Sequence, residues 1–468
     1  MIFRQYELSC LSLYSYLIGD ETTGRAVVVD PQRDIGRYLA DAAAEGLRIE
    51  RVIETHFHAD FLSGHLELAE ATGAVVTYGE KARGKADFPV DYAADGQWYR
   101  LGEVELQILS TPGHTPESVC VLVYEQPGGP PYGVLTGDTL FIGDVGRPDL
   151  LGGFGLSPAD MARDLYTSIH TKLLPLPGET RVFPAHGAGS SCGRAMLDQP
   201  SSTIAEQKAT NYALQTMTPE EFVDAVVVEQ PSVPPYFPYD AVLNRQRHSL
   251  LDETVPPDAL TVDDILEAQR QGAVVIDTRE PAEFAAGHLR ESVNVALEGR
   301  FAEYAGQVVS PETPLILVGD PGTETEARNR LARIGFDQVK GYLPDALPAL
   351  VARPELVAQS SRLTASQLEE RLGSVPDLQL LDVRGRGEAA AGTIPGFALY
   401  PLPELVSRFD ELRPDRPTVV VCASGRRSST AASLLLSRGF ADVSDLIGGM
   451  TAWSGEGRRL SAAAQPAG

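Results

Sequence analysis

The sequence predicts a multidomain α/β protein, and three observations support that prediction. At 468 residues the chain is longer than an ordinary domain and has room for two to four. Strand-like and helix-like hydrophobic patterns alternate to about residue 190, which suits two central sheets covered by helices. The second half repeats itself at an offset of about 105 residues, which predicts two further, related α/β domains.

The composition is that of a soluble globular protein, with 43% hydrophobic and 22% charged residues. Acidic residues outnumber basic ones by 64 to 39, which argues against a nucleic-acid partner because binding to phosphates needs a basic face. The amino terminus lacks an export signal and no apolar run is long enough to span a membrane, so a cytoplasmic location is expected.

The cysteines are too few and too scattered for a disulfide framework or a thiolate zinc site, and they contain no CxxC pair. Reduced thiols are therefore expected. The four positions are Cys10, Cys120, Cys192 and Cys422.

The first domain begins with strand candidates at 15–18 and 26–30. A third strand ending at Ile53 leads into Thr-His-Phe-His-Ala-Asp-Phe at 55–61, and a helix is predicted from there to Thr72. Side chains at alternate positions just after a strand can point into one cavity, where imidazoles and a carboxylate form a metal pocket. Taken alone, this stretch is equally compatible with a histidine-rich turn that binds no metal.

Three later motifs each place one more potential ligand beside a glycine, which permits close approach of the backbone. They are Thr-Pro-Gly-His-Thr with His114, Thr-Gly-Asp-Thr with Asp138, and Ala-His-Gly with His186. The ordered set resembles the metallo-β-lactamase fold superfamily over residues 1–245, followed by a linker at 245–258. This resemblance implies an αββα sandwich that carries a metal site.

Phe61 is the main departure from the superfamily pattern. In hydrolases of the superfamily an HxHxDH motif supplies ligands to two zinc ions, and Phe61 replaces its final histidine. One second-site ligand is thereby lost, so one metal is expected rather than two. His65 lies four residues further along the predicted helix; it is either a substitute ligand or, more simply, a helix histidine with its hydrogen bonds made.

Within the superfamily the domain most resembles the persulfide dioxygenases, in which one Fe(II) is held by two histidines and an aspartate. Carried over, the ligands of one Fe(II) per chain are His56, His114 and Asp138. Two imidazoles and one carboxylate leave coordination positions open for a substrate sulfur and O2. The residues expected to orient these ligands and control protons without touching iron are His58, Asp60 and His186.

Two further residues are candidates for contact with the substrate. Arg147, in the glycine-rich loop 141–149, is a candidate for binding an anionic group, with an ordinary surface arginine as the alternative. Cys192 lies six residues after His186. It either faces the iron cavity and handles sulfur transiently or is a buried structural thiol.

The internal repeat pairs Val-Val-Ile-Asp-Thr-Arg at 274–279 with Gln-Leu-Leu-Asp-Val-Arg at 379–384, and each copy has a later Gly-Phe. These features resemble rhodanese (sulfurtransferase) domains, at 258–355 and 360–458. In the second copy, Cys422 opens a loop that ends at Ser428 and runs into a helix, as in the active-site loop of that family.

This loop suits a reactive cysteine. A short loop at a helix amino terminus aims backbone N–H groups and the helix dipole at the sulfur of Cys422, which stabilises a thiolate or a persulfide. Arg427 adds positive charge, and Gly425 lets the loop close tightly. The corresponding loop of the first copy, at 318–323, has no cysteine. That copy is interpreted as degenerate, with a spacing or docking role.

The pairing of domains leads to a functional hypothesis for sulfide detoxification. The first domain would oxidise the persulfide of a small thiol, of the glutathione, coenzyme A or bacillithiol type, with O2 to sulfite. A Cys422 persulfide would then donate its outer sulfur to sulfite and give thiosulfate. The family resemblance implies a homo-oligomer, either dimer or tetramer.

Two alternatives belong to other classes of function. One is a zinc thioester hydrolase like glyoxalase II with an attached sulfurtransferase, which would use a zinc-activated hydroxide. The other is a non-enzymatic, sulfide-responsive scaffold protein in which the degenerate repeat docks a partner.

Overall fold

The computed structural model describes residues 1–150, 152, 155–228 and 230–461, and the chain divides into two compact units. Unit one contains Met1–Val233 and Phe237–Asp252, and unit two contains Pro234–Tyr236 and the chain from Glu253 onwards. The segment expected to be a linker at 245–258 therefore begins later than predicted, since its first half belongs to unit one.

Unit one is built on two six-stranded sheets. The strands of the first sheet lie side by side in chain order, with β1 to β3 antiparallel and β3 to β6 parallel. They are β1 (Ile2–Leu8), β2 (Leu13–Asp20), β3 (Arg25–Val29), β4 (Arg48–Ile53), β5 (Val75–Gly79) and β6 (Asp91–Ala93).

The second sheet has the reverse strand order, from β12 at one edge to β7 at the other. Its strands are β7 (Trp98–Arg100), β8 (Glu105–Ser110), β9 (Val119–Tyr124), β10 (Gly133–Gly137), β11 (Arg181–Pro184) and β12 (Ser202–Thr203). Only β10 and β11 run parallel, and the other neighbours are antiparallel.

Alternation of side chains along these strands explains the layers, because successive residues point to opposite faces of a sheet. Alternate residues Tyr16 and Ile18 of β2 join Ile108 of β8 and Val121 of β9 in one buried apolar cluster between the sheets. The neighbouring residue Leu17 belongs instead to a second cluster that includes helix residues.

Helices cover the outer face of each sheet. On the first sheet, Tyr38 of α1 (Gly36–Ala44) and Leu68 of α2 (His65–Thr72) pack with strand residues. On the second, Leu165 of α3 (Pro158–Ser168) and Phe222 of α5 (Pro219–Val227) do so. Two shorter helices complete the unit, α4 (Ile204–Thr210) and α6 (Phe237–Leu243). The predicted αββα sandwich is confirmed.

Two expectations about local structure were wrong. From Gly73 to Asp149, all of which the structure describes, six strands follow one another with only the helical turn Glu80–Ala82 between them, so strand and helix do not alternate there. The helix predicted from Phe61 begins at His65, because hydrogen bonds hold the four preceding residues in a turn.

Unit two contains the two repeat copies. The first copy has a parallel four-stranded sheet in the order β15-β13-β16-β17. Its strands are β13 (Val274–Asp277), β14 (His288–Leu289), β15 (Val293–Asn294), β16 (Leu315–Val318), β17 (Val339–Leu343) and β18 (Val357–Ala358), of which β14 and β18 form a separate pair. Its helices are α7 (Val262–Arg270), α8 (Pro281–Ala286), α9 (Phe301–Val308), α10 (Glu324–Ala332) and α11 (Ala346–Ala352).

The second copy has a parallel five-stranded sheet in the order β19-β23-β22-β20-β21. Its strands are β19 (Ser361–Leu363), β20 (Gln379–Asp382), β21 (Ala398–Leu399), β22 (Thr418–Val421) and β23 (Val443–Leu446). Its helices are α12 (Ala365–Ser374), α13 (Arg386–Ala390), α14 (Leu402–Leu405), α15 (Arg426–Ser437) and α16 (Gly449–Gly455). Among the described residues, no helix combines the length and the apolar character that crossing a bilayer requires.

Candidate metal centre and sulfur-transfer site

The metal-ligand candidates of unit one come from the ends of several strands. His56 follows β4, Asp138 follows β10 and His186 follows β11, while His114 lies in the loop after β8. The carboxyl ends of neighbouring parallel strands meet at one edge of a sheet, and loops there commonly carry functional residues. These four side chains, far apart in sequence, are all at most 2% exposed.

His56, His114 and Asp138 form one cluster whose donor atoms lie within 4.8 Å of one another. The Nε2 atoms of His56 and His114 are 4.0 Å and 3.5 Å from Oδ2 of Asp138. Within the described part of the chain, His56 Nε2 and both Asp138 carboxylate oxygens have no hydrogen-bond partner. Buried polar atoms without partners are costly, so this cluster fits a metal cation. Two imidazoles with one carboxylate are a donor set suited to iron or zinc.

Hydrogen bonds at Nδ1 turn both imidazoles so that Nε2 faces the cluster. His114 Nδ1 donates to the backbone carbonyl oxygen of Arg147 at 2.9 Å. His56 Nδ1 lies 3.0 Å from Oγ1 of Thr55, which in turn donates to Asp30 at 2.9 Å. Such partners fix the orientation of metal ligands. Burial, with the neighbouring imidazoles, holds the pKa of His56 well below its ordinary value, and neutral imidazole is the form that binds metals.

Asp60 and His186 border the same cluster from another side. His186 Nε2 lies 3.3 Å from Asp60 Oδ2 and 3.5 Å from Asp138 Oδ1. With His58 they form a second group whose donor atoms lie within 4.8 Å of one another. The carboxylate of Asp138 thus connects both groups.

His58 is held by two buried carboxylates that the sequence analysis did not single out. Its Nε2 lies 3.0 Å from Asp30 Oδ1 and 3.3 Å from Glu54 Oε2. Burial opposes a charge on His58, but these two carboxylates outweigh it and raise its pKa well above the ordinary value. Asp30 follows the strand β3, so a carboxylate at a strand end was the available signal.

Phe61 and His65 lie close to this group without completing a second metal site. The ring of Phe61 is 1% exposed and packs on His58 with 4.3 Å between centroids. His65 Nδ1 is 4.0 Å from Glu54 Oε1. Neither nitrogen of His65 has a hydrogen-bond partner among the described residues. The expectation of a helix histidine with its hydrogen bonds made was therefore wrong.

Asn244 is a further residue that the sequence analysis missed. Its Nδ2 donates to the carbonyl oxygens of His58 and Phe61, both at 2.8 Å, and its Oδ1 accepts from the Ser63 amide at 2.9 Å. These bonds stabilise the turn that delays the start of α2. Because the partners are 181 to 186 residues apart in sequence, no local pattern could have predicted the contact.

Arg147 is buried at 1% exposure, so the alternative of an ordinary surface arginine was wrong. Its guanidinium makes two bonds of 2.7 Å to Asp149 and one of 3.1 Å to the Ser191 carbonyl. Its backbone carbonyl holds His114. Contact of Arg147 with substrate stays a prediction, since the guanidinium is already engaged.

Cys192 is buried beside the metal cluster. Its Sγ lies within 4.8 Å of donor atoms of Asp138 and His186. Burial, together with the nearby Asp60 and Asp138, raises the pKa of this thiol well above its ordinary value. In the absence of a metal the thiol is therefore neutral, and its part in sulfur handling stays a prediction.

In unit two, the loop around Cys422 has the geometry of a sulfur cradle. The Gly425 amide donates to Cys422 Sγ at 3.1 Å, and the Ser428 hydroxyl lies 3.5 Å from the same sulfur. Gly425 has a φ of +94°, a conformation that glycine adopts readily and other residues rarely do. The loop around the sulfur therefore turns at this glycine.

Arg427 is paired with Glu388. Two charge-assisted bonds of 2.6 and 2.7 Å join the guanidinium to this carboxylate. Burial would raise the pKa of Glu388, but the pairing outweighs it and lowers the pKa. Arg427 also interacts electrostatically with Cys422 and with Tyr304 of the first copy. Its positive charge is therefore close to the sulfur but already balanced.

In the first copy, Gly319 follows strand β16 as Cys422 follows β22. A β-carbon at Gly319 would lie 2.3 Å from Thr278 Oγ1, so a cysteine would not fit without rearrangement. Five residues further on, Glu324 stands where the second copy has Arg427. The first copy thus lacks the nucleophile, the space for it and the positive charge.

The first copy contacts the helix that follows Cys422. Ser429 Oγ donates to Asn294 Oδ1 at 2.6 Å, and the Asn294 amide donates to Ser433 Oγ at 2.9 Å. Arg426, at the start of α15, pairs with Glu280 and Glu298 at 3.2 and 2.6 Å. The degenerate copy therefore anchors α15 from outside the second copy.

The family models match this division of the chain. The Metallo-beta-lactamase superfamily model matches residues 9–186, and the Rhodanese-like domain model matches 261–343 and 364–456. The persulfide dioxygenase ETHE1 of Homo sapiens, a mitochondrial protein, is 31% identical over 48% of this chain and 79% of its own length. A hydroxyacylglutathione hydrolase of Polaromonas sp. is 30% identical over 53% of this chain and 90% of its own length.

Among solved structures, a metallo-beta-lactamase from Staphylococcus aureus subsp. aureus COL is 32% identical with a TM-score of 0.66. The match covers 74% of this chain and 99% of that one, so it extends beyond unit one. The chain belongs to the metallo-β-lactamase superfamily, as a homologue of the persulfide dioxygenases that is fused to two rhodanese-like domains.

Proposed function

We propose that this protein oxidises the persulfide of a small thiol with O2 to sulfite and then converts sulfite to thiosulfate through Cys422. The observation that carries the proposal is the buried cluster of His56, His114 and Asp138. Among the described residues, His56 Nε2 and both Asp138 carboxylate oxygens have no hydrogen-bond partner. Similarity to a persulfide dioxygenase and the intact Cys422 loop support the same function.

One Fe(II) per chain is the proposed cofactor, with His56, His114 and Asp138 as its ligands. Bound there, the metal would supply the activation of O2 that oxidation of a sulfur atom requires. The role of the protein is to hold the ligands. The Arg147 carbonyl orients His114, and Thr55 with Asp30 orients His56.

The first reaction consumes one persulfide RSSH, one O2 and one water, and releases RSH, sulfite and two protons. His186 Nε2 lies 3.5 Å from Asp138 Oδ1 and 3.3 Å from Asp60 Oδ2, and the pair of His186 and Asp60 maintains the position of Asp138. This pair is proposed to act on the ligands rather than to replace them.

The second reaction takes place in unit two. A thiolate at Cys422 attacks the outer sulfur of a second persulfide, forms a new S–S bond and releases RS⁻. Sulfite then attacks the outer sulfur of the Cys422 persulfide. The S–S bond breaks, its electron pair returns to Cys422, and thiosulfate leaves. The Gly425 amide, which donates to the sulfur, stabilises the anionic states.

The substrate thiol is proposed to be of the glutathione, coenzyme A or bacillithiol type, and the protein to act as a cytoplasmic homo-oligomer in sulfide detoxification. The decisive experiment measures metal content and O2 uptake on protein purified anaerobically and supplied with glutathione persulfide. About one iron per chain with persulfide-dependent O2 uptake is expected. Cys422→Ser should continue to form sulfite but stop forming thiosulfate, and loss of both products together would contradict this division.

A second candidate function is a zinc thioester hydrolase with an attached sulfurtransferase. The similarity to a hydroxyacylglutathione hydrolase favours it, as does the second donor group of His58, Asp60 and His186. Phe61 argues against it, because this side chain supplies no ligand. Two zinc ions per chain and hydrolysis of a glutathione thioester without O2 would select the hydrolase.

A further inference from the structure

A chain of polar contacts leads from Cys422 to a buried carboxylate. Cys422 Sγ lies 3.5 Å from Ser428 Oγ, and Ser428 Oγ lies 3.4 Å from Asp445 Oδ2. Arg362 then donates from Nε to Oδ1 and from Nη2 to Oδ2 of Asp445, both at 2.9 Å. The sequence analysis named Ser428 only as the end of the loop and did not single out Asp445 or Arg362.

The three groups that connect the sulfur to the carboxylate are all buried. Cys422, Ser428 and Asp445 are 1%, 0% and 2% exposed. Arg362 also donates to the carbonyl oxygen of Gly425 at 3.3 Å, and the amide of Gly425 is the donor to Cys422 Sγ. The guanidinium of Arg362 therefore holds both the Asp445 carboxylate and the Cys422 loop, which are the two ends of this series of contacts.

We propose that Asp445 acts through Ser428 as the proton acceptor and donor for Cys422. The hydroxyl of Ser428 is the group in contact with the sulfur. Asp445 does not touch the sulfur and acts on it only through Ser428, so it is a positioning residue. This inference rests on the proposed sulfur transfer through Cys422 and names two residues that this transfer needs.

The proton balance is simple. Before loading, the Cys422 thiol donates to Ser428 and the Ser428 hydroxyl donates to the Asp445 carboxylate. Two proton shifts, from sulfur to Oγ and from Oγ to Oδ2, leave a thiolate, a serine hydroxyl that now donates to the thiolate, and a neutral carboxyl group. When sulfite removes the outer sulfur, the reverse shifts return the proton to the Cys422 sulfur. No other reactant is consumed.

The charges around this chain are compatible with the transfer. Burial outweighs Arg362 and raises the pKa of Asp445, so this carboxylate accepts a proton more readily than an exposed aspartate. Cys422 itself faces the electrostatic influence of Arg427, which Glu388 balances, and of Tyr304 from the first copy. Arg427 favours the thiolate, while Asp445 takes the proton that the thiolate leaves behind.

The test follows Cys422 without requiring the oxygen-dependent reaction. The reduced full-length chain is mixed anaerobically with glutathione persulfide, and Cys422 persulfide is followed by mass spectrometry across a pH series. Ser428→Ala and Asp445→Asn are each expected to slow loading about 100-fold, the lower range for acid–base catalysis. Ser428→Thr keeps the hydroxyl and should retain most of the rate.

The pH profile separates a proton role from a structural one. Loading by the native chain should fall at low pH, where Asp445 is protonated. In Asp445→Asn the fall should shift to higher pH, because the Cys422 thiol must then give its proton to solvent. Ser437→Ala is the matched control, because Ser437 lies on the same helix and its hydroxyl donates to the carbonyl of Leu434. Thermal unfolding shows whether each variant is folded, and Ser428→Ala leaves the pair of Arg362 and Asp445 in place.

Alkylation of Cys422 by iodoacetamide is the second measurement, since it needs a thiolate but no sulfur transfer. If the native chain fails to load from persulfide, the proposed function is wrong, yet alkylation still tests the proton chain. If folded Asp445→Asn and Ser428→Ala load and are alkylated at native rates with the native pH profile, the proton chain is wrong. In that case the sulfurtransferase proposal stands.

Discussion

Gly146 packs directly on the backbone of Asp138. A β-carbon added at Gly146 would lie 1.8 Å from the carbonyl oxygen of Asp138 and 3.2 Å from the β-carbon of His114. Both neighbours are proposed metal ligands, so this glycine allows two ligand-bearing segments to meet. The loop glycines next to the motifs therefore matter for the distances between ligands as well as for turns.

Gly146→Ala should weaken metal binding. The added methyl group must push Asp138 or His114 away from the shared centre, and displacement of groups that support a metal ligand typically costs about 10- to 100-fold in affinity. Iron retained after graded chelation measures the loss. Gly152→Ala is the control, because a β-carbon there meets no atom within 4 Å. Equal metal retention in both variants would contradict the argument.

Phe61→His should restore the ligand that the superfamily pattern lacks here. Phe61 is buried against His58 and adjoins the donor group of His58, Asp60 and His186. An imidazole at this position is expected to raise the metal content from about one to about two equivalents after loading with Zn²⁺. Phe57→His is the control, because the ring of Phe57 instead stacks on Tyr78 at 4.4 Å. Metal analysis that finds one equivalent in Phe61→His would contradict the role assigned to Phe61.

Gly425→Ala should impair sulfur transfer beyond its effect on stability. Gly425 and Gly439 have similar φ values of +94° and +87°, so alanine at either costs about 1 to 2 kcal/mol of backbone strain. A β-carbon at Gly439 meets nothing within 4 Å, whereas one at Gly425 comes within 3.1 Å of the Gly448 amide nitrogen.

Thiosulfate formation from added sulfite and persulfide distinguishes these two glycines. Gly439→Ala should lose stability but keep its rate per folded chain, while Gly425→Ala should lose most of the rate because the N–H bond to Cys422 shifts. If both variants keep the native rate, the loop around Cys422 does not depend on Gly425.

Asn294→Ala tests the role of the cysteine-less copy. The change removes the acceptor for Ser429 and the side-chain donor to the carbonyls of Asp277 and Arg279. Cys422 turnover should fall several-fold because α15 loses an anchor, while O2 uptake by unit one should be unchanged. Asn329→Ala is the control, since that side chain donates to Glu253 instead. If Cys422 turnover is unchanged in Asn294→Ala, the proposal that the first copy anchors α15 is wrong.

The sequence predicted those parts of the site that follow strand ends and glycine turns. The cluster of His56, His114 and Asp138 and the Cys422 loop could be located because each ligand or nucleophile sits in a short local motif. The αββα sandwich followed from the resemblance that these motifs carry and from the strand patterns.

The rest depends on contacts between distant segments. Asn244 holds the turn at His58 from 186 residues away, and Arg362 reaches Asp445 across 83 residues. The burial of Arg147 and the unpartnered nitrogens of His65 are likewise consequences of packing. Side chains of this kind look ordinary in sequence, because their function comes from the partner that the fold supplies.

The pH dependence of unit two should come largely from one histidine. His288 is the single histidine after residue 252. Burial, partly offset by its contact with the carbonyl of Phe284, lowers its pKa below the ordinary 6.5. The unfolded chain therefore binds this proton more readily than the folded one, so stability is fully present above pH 6.5 and declines as the pH falls towards the folded pKa.

His288→Thr removes this dependence and uses the residue found at the matching position of the second copy, Thr393. Urea unfolding of the full chain is followed by Trp453 fluorescence in a Trp98→Phe background, so that the signal reports unit two alone. Between pH 7.5 and 5.5 the protonation of His288 should cost the parent at most about 1.4 kcal/mol of stability per pH unit. The His288→Thr variant should lose less, and the difference isolates the histidine from buried carboxyl groups such as Asp445. Parallel curves for the two proteins would show that protonation of His288 does not oppose folding.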